Sequence, residues 1–194
     1  SVDGKPVLVR GASGPAGRRG PGAGPDPSRH VYVMLNKPAR TLTATADEPG
    51  ADRRTVTALV KHPAAARLFP VGRLDYDTVG LLLLTNDGEF ANRITRAATH
   101  VPKVYMVKSN GPLTKEQEAQ FETGISLHGR KTAAAKIKVV RRAMAPWYEV
   151  TLTEGRHHQI RDMFKHFGRL VEKLKRVRVG FLELGPLPSG EFRH

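Results

Sequence analysis

The sequence has no cysteine among its 194 residues. This absence excludes disulfide bonds, thiolate metal sites and a cysteine nucleophile. Long hydrophobic runs are also missing: the four leucines from Leu81 to Leu84 fall far short of the about 20 apolar residues that a membrane-spanning helix needs. The N-terminus lacks the charged segment followed by an apolar stretch that is typical of a signal peptide. We therefore expect a soluble, cytoplasmic protein that has no membrane partner.

Acidic residues are also scarce, because 18 Asp and Glu oppose 32 Lys and Arg, which gives a formal net charge of +14. The excess is concentrated in residues 136–178, where 12 Lys and Arg against 4 Asp and Glu leave +8. Such a segment fits a surface that follows the phosphates of a nucleic acid. A polyanion is the first candidate partner, and the alternative is a basic protein without one.

The common cofactor-binding patterns do not occur. The chain has neither a glycine-rich loop ending in Gly-Lys-Ser/Thr nor a dinucleotide-binding fingerprint. Asp75 and Asp77 could hold a divalent metal, but no supporting cluster of ligands accompanies them. His157 and His158 are adjacent and should point in different directions on a helix. We therefore expect no ATP, redox cofactor or metal.

Composition divides the chain into three parts. Residues 1–10 suit a strand, an Asp-Gly turn and a second strand, a unit that is barely stable alone and should end a larger domain. Residues 11–29 are dominated by Gly, Pro and Ala, as in a flexible linker. Residues 30–194 form the main domain. Its strands outnumber its helices, which favours an α+β fold around a largely antiparallel sheet with flanking helices.

Hydrophobic periodicity and capping residues place the elements of this domain. The clearest helix covers residues 158–167 and ends before Gly168, and a capping box of Thr114 with Gln117 begins another. The further helices that we predict cover residues 55–60 and 89–98. Strands are predicted at residues 31–35, 81–85, 103–109, 125–130, 136–142, 147–153, 171–179 and 181–184.

Asp75 is the strongest candidate for a catalytic group. It ends the run Val71-Gly72-Arg73-Leu74-Asp75, on a loop that leads into the predicted strand 81–85. A rigid element would hold a carboxylate there while leaving it access to a cleft. A single carboxylate can act as a nucleophile at a sugar carbon. The alternative is an aspartate that only caps or shapes the turn.

Two further side chains could complete such a site. Arg161 lies on the predicted helix opposite its apolar face and could keep Asp75 ionised in a partly dry cleft, or be a solvated surface charge. Tyr105 lies beside lysines on the predicted strand 103–109. Its ring could stack on an unpaired base while the lysines hold phosphates, or it could pack on the sheet.

Residues 72–88, GRLDYDTVGLLLLTNDG, closely resemble the signature of bacterial ribosomal RNA pseudouridine synthases of the RsuA/RluB type. The similarity extends from Leu35-Asn36-Lys37-Pro38 to Gly185. It includes Lys103-Val104-Tyr105 and the segment EGRHHQIR at residues 154–161. It covers roughly residues 30–194, and it implies that residues 1–10 are the end of an S4-like RNA-binding domain.

The resemblance also implies a reaction. Asp75 would be the catalytic aspartate, Tyr105 would stack on the target base, and Arg161 would pair with Asp75. The uracil would be detached from its ribose at N1, turned and rejoined through C5, while Asp75 attacks C1′ or helps to remove a sugar proton. Such an enzyme acts on ribosomal RNA without a cofactor, and we expect a monomer. The substrate-binding residues that we predict are Arg73, Lys103, Arg156, His158, Gln159, Leu174 and Arg176.

The chain departs from this family in two places, and two other functions stay open. Asp162 stands where such enzymes often have a second basic residue, and Phe181 replaces a frequent proline. A noncatalytic RNA-binding module would fit the basic segment equally well. A metal-dependent glycosyl-transfer enzyme would use Asp75 and Asp77 together.

Overall fold

The computed structural model describes residues 30–47 and 49–194. The predicted S4-like remnant and linker, residues 1–10 and 11–29, lie outside the described residues. The strands are β1 (Tyr32–Lys37), β2 (Phe69–Val71), β3 (Val79–Thr85), β4 (Lys103–Ser109), β5 (Ser126–Leu127), β6 (Arg130–Lys131), β7 (Lys136–Arg141), β8 (Trp147–Leu152), β9 (Val171–Val179), β10 (Leu182–Glu183) and β11 (Phe192–Arg193). The helices are α1 (Gly88–Thr95), α2 (Lys115–Thr123) and α3 (Gln159–His166), with 3-10 helices at Thr57–Leu59, Ala65–Arg67 and Ala97–Thr99.

Nine of these strands form one sheet, in which the order β11-β1-β3-β9-β4-β8-β7 is extended by β2 beside β3 and by β10 beside β9. Every pairing is antiparallel except that of β3 with β9. The strands β5 and β6 make a separate hairpin. This architecture confirms the predicted α+β fold around a largely antiparallel sheet.

The leucine-rich strand β3 is buried because both of its faces are covered. Leu82 and Leu84 pack with Val33 and Leu35 of β1, whereas Leu81 and its neighbours pack against α1 on the other face. The helices α2 and α3 cover a second part of the sheet, where Phe121 and Phe164 meet the strands β4, β8 and β9. Side chains that alternate on a strand face opposite ways, so a run of leucines serves both cores.

Glycine is required where the two parallel strands meet. Gly80 of β3 pairs with Arg176 of β9, and its φ is +107°. A Cβ atom at this position would lie 2.1 Å from the carbonyl oxygen of Arg176. The missing side chain therefore lets β9 close against β3 just beyond the loop that carries Asp75.

Most predicted elements are present, with three differences. The predicted strand 125–130 is instead the hairpin β5–β6, since His128 and Gly129 both have positive φ and turn the chain. The predicted helix 55–60 is one 3-10 turn. His158 has a left-handed φ of 52°, so α3 starts only at Gln159. None of the described helices is both long and apolar enough to span a membrane.

Candidate active site

A cavity of about 400 Å³ lies against the central strands β3, β9 and β4 and between the loops that precede β3 and α3. Its size is in the range of small-molecule and cofactor sites. Nine of the ten predicted site residues line it, and Arg161 does not. The nine are Arg73, Asp75, Lys103, Tyr105, Arg156, His158, Gln159, Leu174 and Arg176.

Lys37 fixes the loop of Asp75 through hydrogen bonds to its backbone. Its side chain is fully buried, and its Nζ donates hydrogen bonds to the carbonyl oxygens of Asp75 at 3.0 Å, Tyr76 at 3.1 Å and Thr78 at 2.8 Å. Three carbonyl oxygens of the turn 75–78 are thereby bound to one ammonium group. Lys37 is therefore a positioning residue, and it orients the aspartate through the main chain.

Burial changes the acidity of this lysine. It lowers the pKa of Lys37 to about 8, and the carboxylates of Asp77 and Asp75 oppose the shift because they favour the charged form. The ammonium group persists in the interior because backbone oxygens surround it. Resemblance placed Lys37 in a family motif, but a lysine just after the predicted strand 31–35 gave no sequence signal that it would be buried.

The carboxylate of Asp75 meets a histidine. His158 Nε2 lies 3.5 Å from Asp75 Oδ1, and both side chains are partly exposed. Arg161, the predicted partner, has Nη1 3.2 Å from the carbonyl oxygen of Val171. Within the described residues no ion pair joins Arg161 to Asp75. Arg161 is thus directed to the start of β9, and the predicted contact with Asp75 is not formed in this structure.

His157 and His158 do not lie on a helix, so the expectation that they point apart is wrong. Their rings are stacked, with centroids 3.7 Å apart. One ligand atom from each, together with a carboxylate oxygen of Asp75, lies within 4.8 Å of the others. Imidazole and carboxylate are donors that Zn²⁺ accepts. The group could therefore hold such a cation, whereas Asp77 is not part of it.

A polar network fixes the segment that carries these histidines. Glu154 Oε1 accepts hydrogen bonds from the backbone nitrogen of Ala133 at 2.9 Å and from Gln159 Nε2 at 2.6 Å. Gln159 Oε1 accepts one from the backbone nitrogen of Arg156 at 3.1 Å. The guanidinium of Arg156 binds Glu154 and the carbonyl oxygens of Arg130 and Lys131. Arg156 and Gln159 were predicted to bind substrate, yet here their polar groups hold the loop.

Two cations of the cavity belong to neighbouring strands. Arg176 is only 4% exposed; its Nε donates to the carbonyl oxygen of Leu81 at 2.8 Å, and its terminal amino groups make no hydrogen bond to the described residues. Lys103 is half-buried beside it, and burial, followed by the charge of Arg176, lowers the pKa of Lys103. An anionic ligand in the cavity would stabilise the positive charges of Arg176 and Lys103. Arg73, by contrast, is exposed at the rim.

Apolar residues form the remaining wall. Tyr105 is half-buried between two core clusters, and Leu174 is buried on the neighbouring strand β9. The hydroxyl of Thr78 is buried without a hydrogen-bond partner, and among the described residues it is the one side-chain atom of this kind. Thr78 also lines the cavity. The site thus combines the carboxylates of Asp75 and Glu154, an aromatic ring and several cations around a space of about 400 Å³.

The chain matches a known protein family over most of its described length. A profile described as RNA pseudouridylate synthase matches residues 31–166. The chain belongs to the RNA pseudouridine synthase family. It is 42% identical over 166 residues to ribosomal large subunit pseudouridine synthase B of Bacillus subtilis, an alignment that covers 84% of this chain and 67% of the relative.

Other RNA pseudouridine synthases support the assignment. Ribosomal small subunit pseudouridine synthase A of Salmonella typhimurium is 39% identical over 165 residues, which cover 84% of this chain and 69% of the relative. A crystal structure of a pseudouridylate synthase superposes with a TM-score of 0.77 at 34% identity, covering 85% of this chain and 70% of that one. The protein is therefore an isomerase of RNA uridines, as the resemblance predicted.

Proposed function

We propose that this RNA pseudouridine synthase converts a specific uridine of ribosomal RNA to pseudouridine, with Asp75 as the catalytic carboxylate. The observation that carries the proposal is the placement of Asp75 in a cavity of about 400 Å³ that is also lined by Tyr105, the buried Arg176 and the half-buried Lys103. Two of its relatives are named as synthases of the large and of the small ribosomal subunit, which supports ribosomal RNA as the substrate.

The reaction breaks the bond between N1 and C1′ of the uridine and makes one between C5 and C1′. Asp75 starts it, either by attacking C1′ or by removing a sugar proton. The proton on C5 must leave at the end, and Tyr105 beside the base could help to take it. Because N1 and C5 exchange roles within one nucleotide, no redox step or second substrate is needed.

The target base has to leave its stack before it can enter the cavity. Tyr105 offers a flat ring there, and aromatic rings stack on splayed bases in sequence-specific RNA complexes. Arg176 and Lys103 approach the same space from β9 and β4. Their charges would attract the phosphates on either side of the flipped uridine.

Arg161 keeps a part in the proposal as a second cation. It lies three residues beyond His158, and one hydrogen bond to Val171 engages it, out of the five N–H donors of a guanidinium. Its side chain would turn from that carbonyl oxygen to Asp75 when RNA enters. His158 accompanies the carboxylate before RNA binds.

The test is direct detection of pseudouridine. Transcripts of both large ribosomal RNAs are incubated with the protein, and pseudouridines are mapped by carbodiimide treatment and reverse transcription. We expect one or a few modified positions, none with Asp75→Asn, and RNA affinity within about twofold of the unaltered protein. Asp77→Asn is the matched control, since Asp77 is an exposed neighbour, and it should remain active.

The same experiment separates the other two functions. Modification that persists with Asp75→Asn would overturn the assignment of the carboxylate. Binding without any modification would favour a noncatalytic RNA-binding module. Activity that is lost on adding a chelator and with Asp77→Asn would favour metal-dependent glycosyl transfer.

A further inference from the structure

Phe181 is the most exposed aromatic residue of the described chain. Its side chain is 91% exposed, whereas the other six phenylalanines are buried or partly buried. A single exposed apolar residue needs no explanation by itself. Phe181 differs from such a residue because it lies in a tight turn that follows a residue of the cavity wall.

The turn that carries Phe181 is rigid. Val179 of β9 pairs with Leu182 of β10, so Gly180 and Phe181 form a two-residue hairpin turn. Gly180 has a φ of +57°, and glycine at the first central position is favoured in such turns. Its backbone nitrogen donates to the carbonyl oxygen of Pro102 at 2.8 Å. The ring is therefore presented by a fixed element.

The turn lies at the rim of the cavity. Val179 lines the cavity together with Asp75 and Tyr105, and it pairs with Lys103 on β4. Two residues of chain extend at most about 7 Å, so Phe181 lies within one nucleotide's reach of the cavity wall. Arg178 directly precedes Val179 on the same hairpin, and its side chain is partly exposed. The Arg178 guanidinium lies 3.7 Å from the carboxylate of Glu183 on that hairpin, and a second cation, Lys103, is opposite Val179 on β4.

We propose that Phe181 is a stacking site for an unpaired nucleotide that neighbours the target uridine. This inference rests on the proposed function. When one base is flipped into a cavity, the bases beside it lose a stacking partner. A rigid aromatic ring at the rim replaces that partner, and nearby cations hold the connecting phosphate. Such stacking tolerates any base, so the site would add affinity without selecting sequence.

The experiment uses a fluorescein-labelled oligouridylate of twelve nucleotides as the probe. Loss of one stacked base corresponds to about a fivefold to hundredfold loss of affinity, and we expect Phe181→Ala to weaken binding within that range. Phe181→Trp should keep the affinity, and its indole fluorescence should be quenched when the oligonucleotide binds. Thermal unfolding of both variants checks that the fold is intact.

Met144→Ala is the matched control. Met144 is also 91% exposed, but it lies between β7 and β8 at the Ser109 end of β4, about 20 Å from the Lys103 end. Its affinity for the oligonucleotide should not change. Equal affinities of Phe181→Ala and the unaltered protein, or equal losses with Met144→Ala, would overturn the stacking site. No binding of the probe by the unaltered protein would also overturn it.

The two proposals fail in different ways. Pseudouridine formation that requires Asp75 while Phe181→Ala binds normally would reject only the stacking site. Oligonucleotide binding that depends on Phe181 in a protein without modifying activity would reject only the reaction on ribosomal RNA.

Discussion

A carboxylate that reacts with a sugar must be ionised and correctly oriented. If Asp75 is that carboxylate, as we propose, different residues meet the two requirements. His158 lies 3.5 Å from the carboxylate of Asp75, whereas Lys37 fixes the backbone of the same loop through several carbonyl oxygens. The charge next to Asp75 and the orientation of its loop can therefore be altered by substitutions at different residues.

The first prediction concerns charge. His158 and Asp75 form an ion pair only when the imidazole is protonated, and both side chains are partly exposed. Since such a pair contributes about 1 kcal/mol or less, His158→Ala should slow single turnover on saturating RNA by at most about fivefold. If Arg161 turns to Asp75 in the RNA complex, its charge stabilises the ionised carboxylate in a drier site. Arg161→Ala should then slow the step by about tenfold or more.

Lys165→Ala serves as the control, because Lys165 is an exposed cation on the same helix. It should leave the single-turnover rate unchanged. Arg161→Ala with the rate of the unaltered protein would contradict the pairing of Arg161 with Asp75. It would leave His158 as the charge partner.

The second prediction concerns pH. The pKa of Lys37 is lowered to about 8 by burial, so the unfolded chain binds more protons than the folded one above this pH. Stability attributable to Lys37 therefore rises as pH increases from about 8 towards 10.5. By linkage the gain is about 2 kcal/mol between pH 7 and pH 9.5.

Urea unfolding of the unaltered protein and of Lys37→Met at both pH values measures this gain. Lys37→Met should be less stable at both, because backbone carbonyl oxygens of the Asp75 loop lose their donor. The difference between the two proteins should widen at the higher pH. A constant or a narrowing difference would show that the pKa of Lys37 is not depressed.

Single residues differ in how well the sequence predicts them. Asp75 and Tyr105 were predicted to share a site, and both line the same cavity, since the loop before β3 and the strand β4 are both strongly patterned. The predicted contact between Asp75 and Arg161 is not formed in the structure. It depends on the direction of a side chain near the start of a helix, which the sequence does not specify. Glu154 was missed, since its partners lie on separate segments.

At the scale of elements, the segment between β8 and α3 is held by side chains and not by regular structure. Glu154 is its hub, with Ala133 and Gln159 bonded to one carboxylate oxygen and Arg156 to the other. The left-handed φ of His158 then turns the chain into α3. Helical periodicity extends over His158, which is why the sequence predicts a helix start one residue too early.

The third prediction concerns this network. Glu154→Ala leaves the backbone nitrogen of Ala133 and the amide of Gln159 without their acceptor, and each unpaired buried group costs about 1–3 kcal/mol. We expect the free energy of unfolding to fall by about 2–4 kcal/mol and single turnover to slow, because His158 loses its support. Urea unfolding and single-turnover assays measure both effects.

Glu172→Ala is the control for the loss of a carboxylate. Glu172 pairs with Lys108 at 2.8 Å on the surface of the sheet, and such pairs contribute about 1 kcal/mol or less. Its single-turnover rate should not change. Equal destabilisation of the two variants would argue that Glu154 has no special part in holding the loop.

At the scale of the whole molecule, the sequence predicted the excess of basic residues more completely than the order of the strands in the sheet. The basic excess of residues 136–178 is a property of composition alone. The structure spreads it over β7, α3, β9 and the loops between them, and only Arg156 and Arg176 of its Lys and Arg residues line the cavity. The order of strands depends on long-range pairing such as that of β3 with β9, which no local pattern in the sequence contains.

The last prediction uses this distribution. Lys136 and Lys138 are exposed on β7, the edge strand, and phosphates that they bind would release counterions. The logarithm of RNA affinity should fall linearly with the logarithm of KCl concentration, and each phosphate contributes about 0.7–0.9 to the slope. Replacing both by Gln should reduce the slope by about 1.5, without changing the rate at saturating RNA. Lys61 and Lys115, also exposed, give a double Gln variant of equal charge. An equal reduction in that control would show that net charge, and not the β7 edge, sets the affinity.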